Sequence, residues 1–159
     1  MSKRIILVGK AASGKDFLRK KFEDRGFKYA ISYTTRPPRE GEIHGKDYFF
    51  MTRPQAQDMI DTGEFYEWVA FNNWIYGTTV DQFEKDDVFI MTPTGLAHLS
   101  DEARKESLVI FFDIDEEIRR KRMLGRNMPG DSVERRLEAD RKDFENFTNY
   151  DIKITNHDF

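Results

Sequence analysis

The stretch "LVGKAASGKDFL", Leu7 to Leu18, constrains the fold of this chain more than any other segment. From Gly9 to Lys15 it follows the pattern G-x-x-x-x-G-K-S/T, whose backbone N–H groups cradle phosphates, but the final position holds Asp16 instead of a hydroxyl residue. Before it stands "RIILVG", a β-branched apolar run ending in glycine, which predicts a strand buried on both faces. Behind it, from Lys15 to Arg25, Phe17, Leu18 and Phe22 recur at helical spacing, and Gly26 offers a stop. A glycine loop between a buried strand and a helix gives the pattern physical force. The turn lets successive amides converge on phosphate oxygens, and the helix N-terminus adds partial positive charge.

Gly9, Lys10, Ala11, Ala12, Ser13, Gly14, Lys15 and Asp16 are therefore the candidate ATP-binding loop, with Lys15 reaching the outer phosphates as a point charge. The bland alternative is a glycine turn carrying an exposed lysine; spacing and context together favour phosphate binding. Asp16 has two readings. Hard Mg²⁺ accepts carboxylate as readily as hydroxyl oxygen, which makes Asp16 a candidate metal ligand. A carboxylate at a helix start is also favoured for its own sake, with no metal.

The remaining apolar runs "VFIM", "LVIFFDI" and "IKIT" read as further buried strands, and Asp115 to Leu124 carries helical periodicity. Alternating strands and helices predict an α/β fold with a mainly parallel sheet flanked by helices. Residues 33–80 differ, with alternating aromatic segments, Pro37, Pro38 and four glycines, and read as a small mixed or antiparallel insertion. Asp131 with Glu134 suggests a capping box for a helix running toward Phe147, and the preceding "GRNMPGD" predicts a mobile loop. A length of 159 residues fits one domain: core 1–31, 81–118 and 150–159, insertion 32–80, and a helical lid 119–149.

Composition bounds the partners. The formal charge of −3 argues against a protein that coats nucleic acid, and the absence of cysteine removes disulfides, thiolate metal sites and thiol nucleophiles. The apolar run Ile5 to Val8 is too short for a secretory or membrane segment. The expectation is a cytoplasmic protein with no nucleic-acid or membrane partner, working as a monomer or homodimer.

The second informative region is "ISYTTRPPREGEIHGKDYFF", Ile31 to Phe50, followed by "GEFYEWVAFNNWIYGTT", Gly63 to Thr79. Arg36 and Arg39 lie on a proline-stiffened loop where planar guanidinium forks can grip a phosphate bidentately, and Tyr48 can add a hydroxyl. These stretches resemble, in order and spacing, the GMP-binding region of guanylate kinases. With the phosphate loop, the resemblance covers nearly the whole chain. It implies a P-loop NTPase fold and Mg²⁺-dependent transfer from ATP to GMP, and to dGMP. Arg36, Arg39, Tyr48 and Tyr76 would hold the GMP phosphate, while Ser32, Glu67 and Thr78 would face the guanine. Guanine's N1–H and N2–H₂ donors beside an O6 acceptor suit a carboxylate with hydroxyls. For Glu67 a salt bridge is the rival reading, and Trp68 is expected to be a core aromatic.

Phosphoryl transfer needs charge neutralisation under a closing lid, and the arginines of "RRKRMLGRN" and the following helix supply it. By resemblance Arg122, Arg126 and Arg136 are the lid arginines, with an Arg126 to Arg136 interval one residue shorter than the family's, and Lys15 and Arg36 complete the catalytic set. Asn156 matches an adenine-contacting asparagine. Arg119, Arg120 and Arg135 read as a solvated helical face.

The chain departs from the family pattern at "VFIMTPTG", where Ile90 and Thr92 stand in place of an Asp-x-Asp pair. Asp16 offers a carboxylate from the phosphate loop in compensation. Glycine-lysine-aspartate followed by an acid-poor strand also resembles ribose 1,5-bisphosphate phosphokinases, although those lack the "TTRPPR" and "GKDYFF" combination. That reading, another nucleoside monophosphate kinase, and a non-catalytic protein-binding module of guanylate-kinase type are the alternatives. The terminal helix usual in the family is expected to be absent.

Overall fold

The structure, a computed structural model, is described for residues 3–125 and 132–158. Strand β1 (Arg4–Gly9) is its centre, with Ile6, Leu7 and Val8 fully buried. It pairs in parallel with β6 (Val88–Ile90) on one side and β7 (Ser107–Phe112) on the other, and β7 pairs in parallel with β8 (Ile152–Ile154). The order β6-β1-β7-β8 realises the expected parallel sheet.

Because successive strand residues face opposite sides, Ile6 and Val8 join one core with Phe83, Phe89, Leu96 and Val109, whereas Leu7 joins another with Val88, Ile110 and Phe112. The first is closed by α3 (Val80–Lys85), α4 (Pro93–Ala97), α5 (Asp101–Lys105) and the aromatics Phe144, Phe147 and Tyr150. The second is closed by Leu18 and Phe22 of α1 (Lys15–Asp24) and Ile118 of α6 (Glu116–Leu124). Phe17, the other apolar residue of the α1 stripe, is 52% exposed.

A second, mixed sheet has the order β3-β2-β5-β4 and comprises β2 (Tyr33–Thr34), β3 (Phe49–Phe50), β4 (Phe65–Phe71) and β5 (Trp74–Thr79). Strand β2 runs parallel to β3 and antiparallel to β5. Asn72 and Asn73, with φ of 51° and 65°, make the tight β4–β5 turn in the left-handed backbone such hairpins need. Helix α2 (Arg53–Asp61), which the sequence reading left out, starts at a capping box between Thr52 and Gln55. Gln82 Nε2 donates to the Ile31 carbonyl at 2.6 Å and ties the second sheet to the core.

Three expectations are corrected. Helix α7 (Val133–Asp143) starts at Ser132, whose hydroxyl accepts the Arg135 N–H, so the cap is not an Asp131–Glu134 box; Asp131 itself lies outside the described residues. Trp68 is not a core residue but 40% exposed. Its neighbour Glu67 takes the inward side of β4, and the pleat turns Trp68 outward. Arg119 is not on a solvated face. It is only 1% exposed, because Asp140 and the Ile114 carbonyl receive its guanidinium. Among the described residues no helix is long and apolar enough to cross a membrane.

Candidate active site

Strand β1 ends at Gly9, and the chain then wraps into the loop that opens α1. Gly14, the N-cap, has φ 95°, a left-handed backbone that glycine adopts without steric cost. Ser13 is fully buried, and its Oγ has no hydrogen-bond partner among the described residues. Lys15 Nζ lies 3.4 Å from the Lys10 carbonyl, folded back over the loop. From outside, the Ala11 N–H donates to Asp140 Oδ2 at 3.0 Å, and Arg122 donates to the carbonyls of Ala12 at 2.9 Å and His157 at 3.2 Å. A cavity of about 380 Å³ opens here, lined by residues 12–17, Arg122 and His157.

The loop residues and Arg122 therefore come together as expected. Asn156 does not line that cavity; its side-chain oxygen accepts the Asp158 N–H at 2.9 Å, and the adjacent His157 takes the place at the wall. Arg126 lies outside the described residues, as does most of the loop expected to be mobile.

Asp16 occupies the first turn of α1 without capping it, since Gly14 is the N-cap and no side chain bonds there. Its carboxylate is 67% exposed, reaches the same cavity, and lies 3.6 Å from Arg19. Arg19 in turn stacks on Tyr29 at 4.4 Å and pairs with Glu23 at 3.1 Å. Among the described residues no cluster of three or more His, Cys, Asp or Glu exists to cage a metal. The acid that lines the cavity is Asp16, which fits Mg²⁺: that ion is commonly held by one or two carboxylates, waters and substrate phosphates. The strand opposite provides no acid. Ile90 ends β6, and Thr92 caps α4 by accepting the Gly95 N–H at 3.0 Å.

The paired arginines lie on the loop after β2. Arg36 is 4% exposed, and its fork is engaged bidentately by Glu42 at 2.8 and 2.9 Å. Glu42 also accepts the Arg39 N–H at 2.7 Å. Burial alone would raise the Glu42 carboxyl pKa, but these donors outweigh it and hold it below the usual range. Glu42 thus holds the Arg36 guanidinium and the Arg39 backbone, and it was not among the sequence-derived candidates. The Arg36 guanidinium lies 5.1 Å from the centre of the Tyr48 ring, Tyr48 stands edge-on to Tyr76 at 6.1 Å, and the Arg39 Nε is buried without a partner among the described residues.

On the adjoining strands, register places Glu67 directly opposite Thr78. Glu67 is 7% exposed. Burial pushes its carboxyl up to about 7, while the Thr78 hydroxyl and the nearby His98 pull in the opposite direction. No salt bridge to Glu67 is present among the described residues, so that rival reading loses its support. Ser32 stands half-buried at the entry to β2, its carbonyl accepting the Phe49 N–H at 2.9 Å.

The Tyr48 hydroxyl pKa is raised chiefly by burial, then by Tyr76 and by the charge of Asp16, while Arg36 pulls in the opposite direction. Helix α7 closes the arrangement: Arg136 lies 4.4 Å from the centre of the Phe71 ring at the end of β4, and Arg135 lies 5.1 Å from it.

A phosphate loop at the carboxyl edge of a parallel sheet flanked by helices, with a second, mixed sheet, defines a P-loop NTPase fold. The guanylate kinase family model matches residues 1–159, and the chain belongs to that family. It is 35% identical over 164 aligned positions to the guanylate kinases of Bacillus anthracis and Bacillus subtilis (strain 168), covering 96% of this chain and 79% of each relative. It is 34% identical to that of Geobacter metallireducens, covering 97% and 80%. The crystal structure of guanylate kinase from Anaplasma phagocytophilum shares the fold, with a TM-score of 0.73 and 22% identity over 99% of this chain and 78% of that one.

Proposed function

We propose that this chain transfers the γ-phosphoryl group of ATP to GMP, and to dGMP, giving ADP and GDP or dGDP. The observation that carries the acceptor assignment is Glu67, a buried carboxyl opposite Thr78 in the sheet that also carries Tyr76, whose ring meets Tyr48 and through it Arg36. Guanine presents two adjacent N–H donors to such a carboxylate, while adenine presents an acceptor at N1 and would leave the acid unpaired. Ser32 and Thr78 supply hydroxyls beside it.

In the reaction, an oxygen of the GMP phosphate forms a bond to the γ-phosphorus as the bond to the β-bridging oxygen breaks. Lys15 and the loop amides hold the donor phosphates, Arg39 and the N–H groups of Arg36 that Glu42 and the Pro37 carbonyl leave free hold the acceptor, and Arg122, Arg126 and Arg136 meet the charge spread over the transferred group. A bound Mg²⁺ would supply neutralisation of the donor phosphate charge. Asp16 is the residue of this chain suited to hold it.

A coupled ADP-release assay across GMP, dGMP, AMP, dTMP and ribose 1,5-bisphosphate tests the assignment. GMP and dGMP should support turnover far better than the others. Preference for the sugar phosphate would replace the acceptor proposed here.

A further inference from the structure

We propose that Phe71 is a positioning residue that holds the Arg136 guanidinium at the mouth of the acceptor pocket. This rests on the reading of Arg136 as a group that meets the transferred phosphoryl, and goes beyond it by naming what places that group.

Phe71 ends β4 at the tip of the second sheet, and two guanidinium groups lie against its half-buried ring, Arg136 at 4.4 Å and Arg135 at 5.1 Å. Consecutive helix residues diverge by about 100° around the axis, so both reach one ring only if it stands between them. An aromatic face attracts a guanidinium through its quadrupole, which an aliphatic side chain of equal bulk does not provide.

The ring also has a defined place relative to the acceptor clamp. Phe71 is edge-on to Tyr76 at 6.5 Å, Tyr76 to Tyr48 at 6.1 Å, and Tyr48 lies 5.1 Å from the Arg36 guanidinium. One unbroken series of rings thus joins Arg136 to Arg36.

The other end of the helix is fixed as well. Asp140, four residues after Arg136 and so on the same face, accepts the Ala11 N–H of the phosphate loop at 3.0 Å. Helix α7 is therefore tied to the donor loop by Asp140 and to the acceptor sheet by Phe71. An arginine without such a ring samples many rotamers, and few of them present its fork to the space between the two phosphates. The bland alternative makes Phe71 a simple packing contact between helix and sheet.

The test uses Phe71→Leu, Phe71→Ala and Phe71→Tyr in the full chain, alone and with Arg136→Ala. Thermal midpoints and circular dichroism check folding, and the Leu and Tyr pair carries the test if the Ala variant does not fold. Leu and Ala should lower kcat by about tenfold to a hundredfold. Dissociation constants for ATP and GMP, measured by equilibrium titration, should stay within about twofold, as expected for loss of a transition-state contact. Tyr should restore most of kcat. In the Arg136→Ala background, Phe71→Ala should cause no further fall.

The proposal is overturned if kcat is unchanged in Phe71→Ala and Phe71→Leu, if Tyr is as slow as Leu, or if the Phe71 effect multiplies undiminished on top of Arg136→Ala. Full turnover by Arg136→Ala alone overturns the reading of Arg136 itself, and the inference with it.

Discussion

The Glu67 Oε2 atom lies where a side chain on residue 95 would begin: a Cβ built on Gly95 would stand 2.7 Å from it and 3.2 Å from the Glu67 carboxyl carbon. Gly95 is in α4 with an ordinary helical backbone, a place where alanine is favoured over glycine by about 1 kcal/mol. The glycine is there for space. With Thr78 opposite on β5 and Gly95 behind, the acid has one place to stand.

Gly95→Ala should therefore raise the KM for GMP by about tenfold or more, the scale of one misplaced charge-assisted hydrogen bond. The KM for ATP should stay within about twofold, since no residue of α4 lines the cavity at the phosphate loop. Steady-state kinetics with each nucleotide varied in turn decides it. An unchanged GMP KM would mean that Glu67 can shift without consequence.

Glu67 also makes stability depend on pH. Its carboxyl is raised to about 7 in the fold, against an ordinary value of 4.5, so between these pH values the folded state holds a proton that the unfolded state has released. Rising pH across that window destabilises the protein, by up to about 3 kcal/mol if the full shift is realised. Glu67→Gln should flatten the profile, leaving the wild type relatively less stable at pH 7.5 than at pH 5. Melting curves of both proteins from pH 5 to 8 without nucleotide measure it, and parallel profiles would contradict the assignment.

For Asp16, the measured quantity is magnesium dependence. Asp16→Ala should require about tenfold more Mg²⁺ for half-maximal rate, and Asp16→Ser should recover part of the loss by restoring a neutral oxygen ligand. Identical titrations for all three proteins would leave Asp16 only its ion pair with Arg19.

The Arg119–Asp140 pair, 3.5 Å apart with side chains 2% and 8% exposed, bears on stability and on the phosphate loop together. Asp140→Ala strands a buried guanidinium and removes the acceptor for the Ala11 N–H, and should cost roughly 3–5 kcal/mol. Urea denaturation measures the loss; less than about 1 kcal/mol would show that Arg119 finds another partner.

How much was legible in the chain follows from where each signal is stored. The phosphate loop was readable because Gly9, Gly14 and Lys15 act within a few residues of one another. The acceptor residues were placed by their resemblance to a family, because nothing local says that Glu67 will stand opposite Thr78; strand register decides that. Trp68 was misread because Glu67 and Trp68 cannot both face the interior of one pleated strand. Arg119 and Asp140 are ordinary members of charge-rich helices until tertiary packing brings them together. Glu42, which holds the Arg36 fork and the Arg39 backbone N–H, was one acid among many. Helix α2, by contrast, carried its signal openly in Thr52, Pro54 and Gln55.

The parallel sheet is long only in its middle. Its outer strands β6 and β8 have three residues each, against six in β1 and β7. The β6 border is already occupied, because Tyr29 bridges Val88 and the Ala30 N–H donates to the Val88 carbonyl at 2.9 Å, so the open border is that of β8, with only about 10 Å of extended peptide. The most apolar layer of the molecule thus offers a neighbouring chain little unpaired backbone to extend.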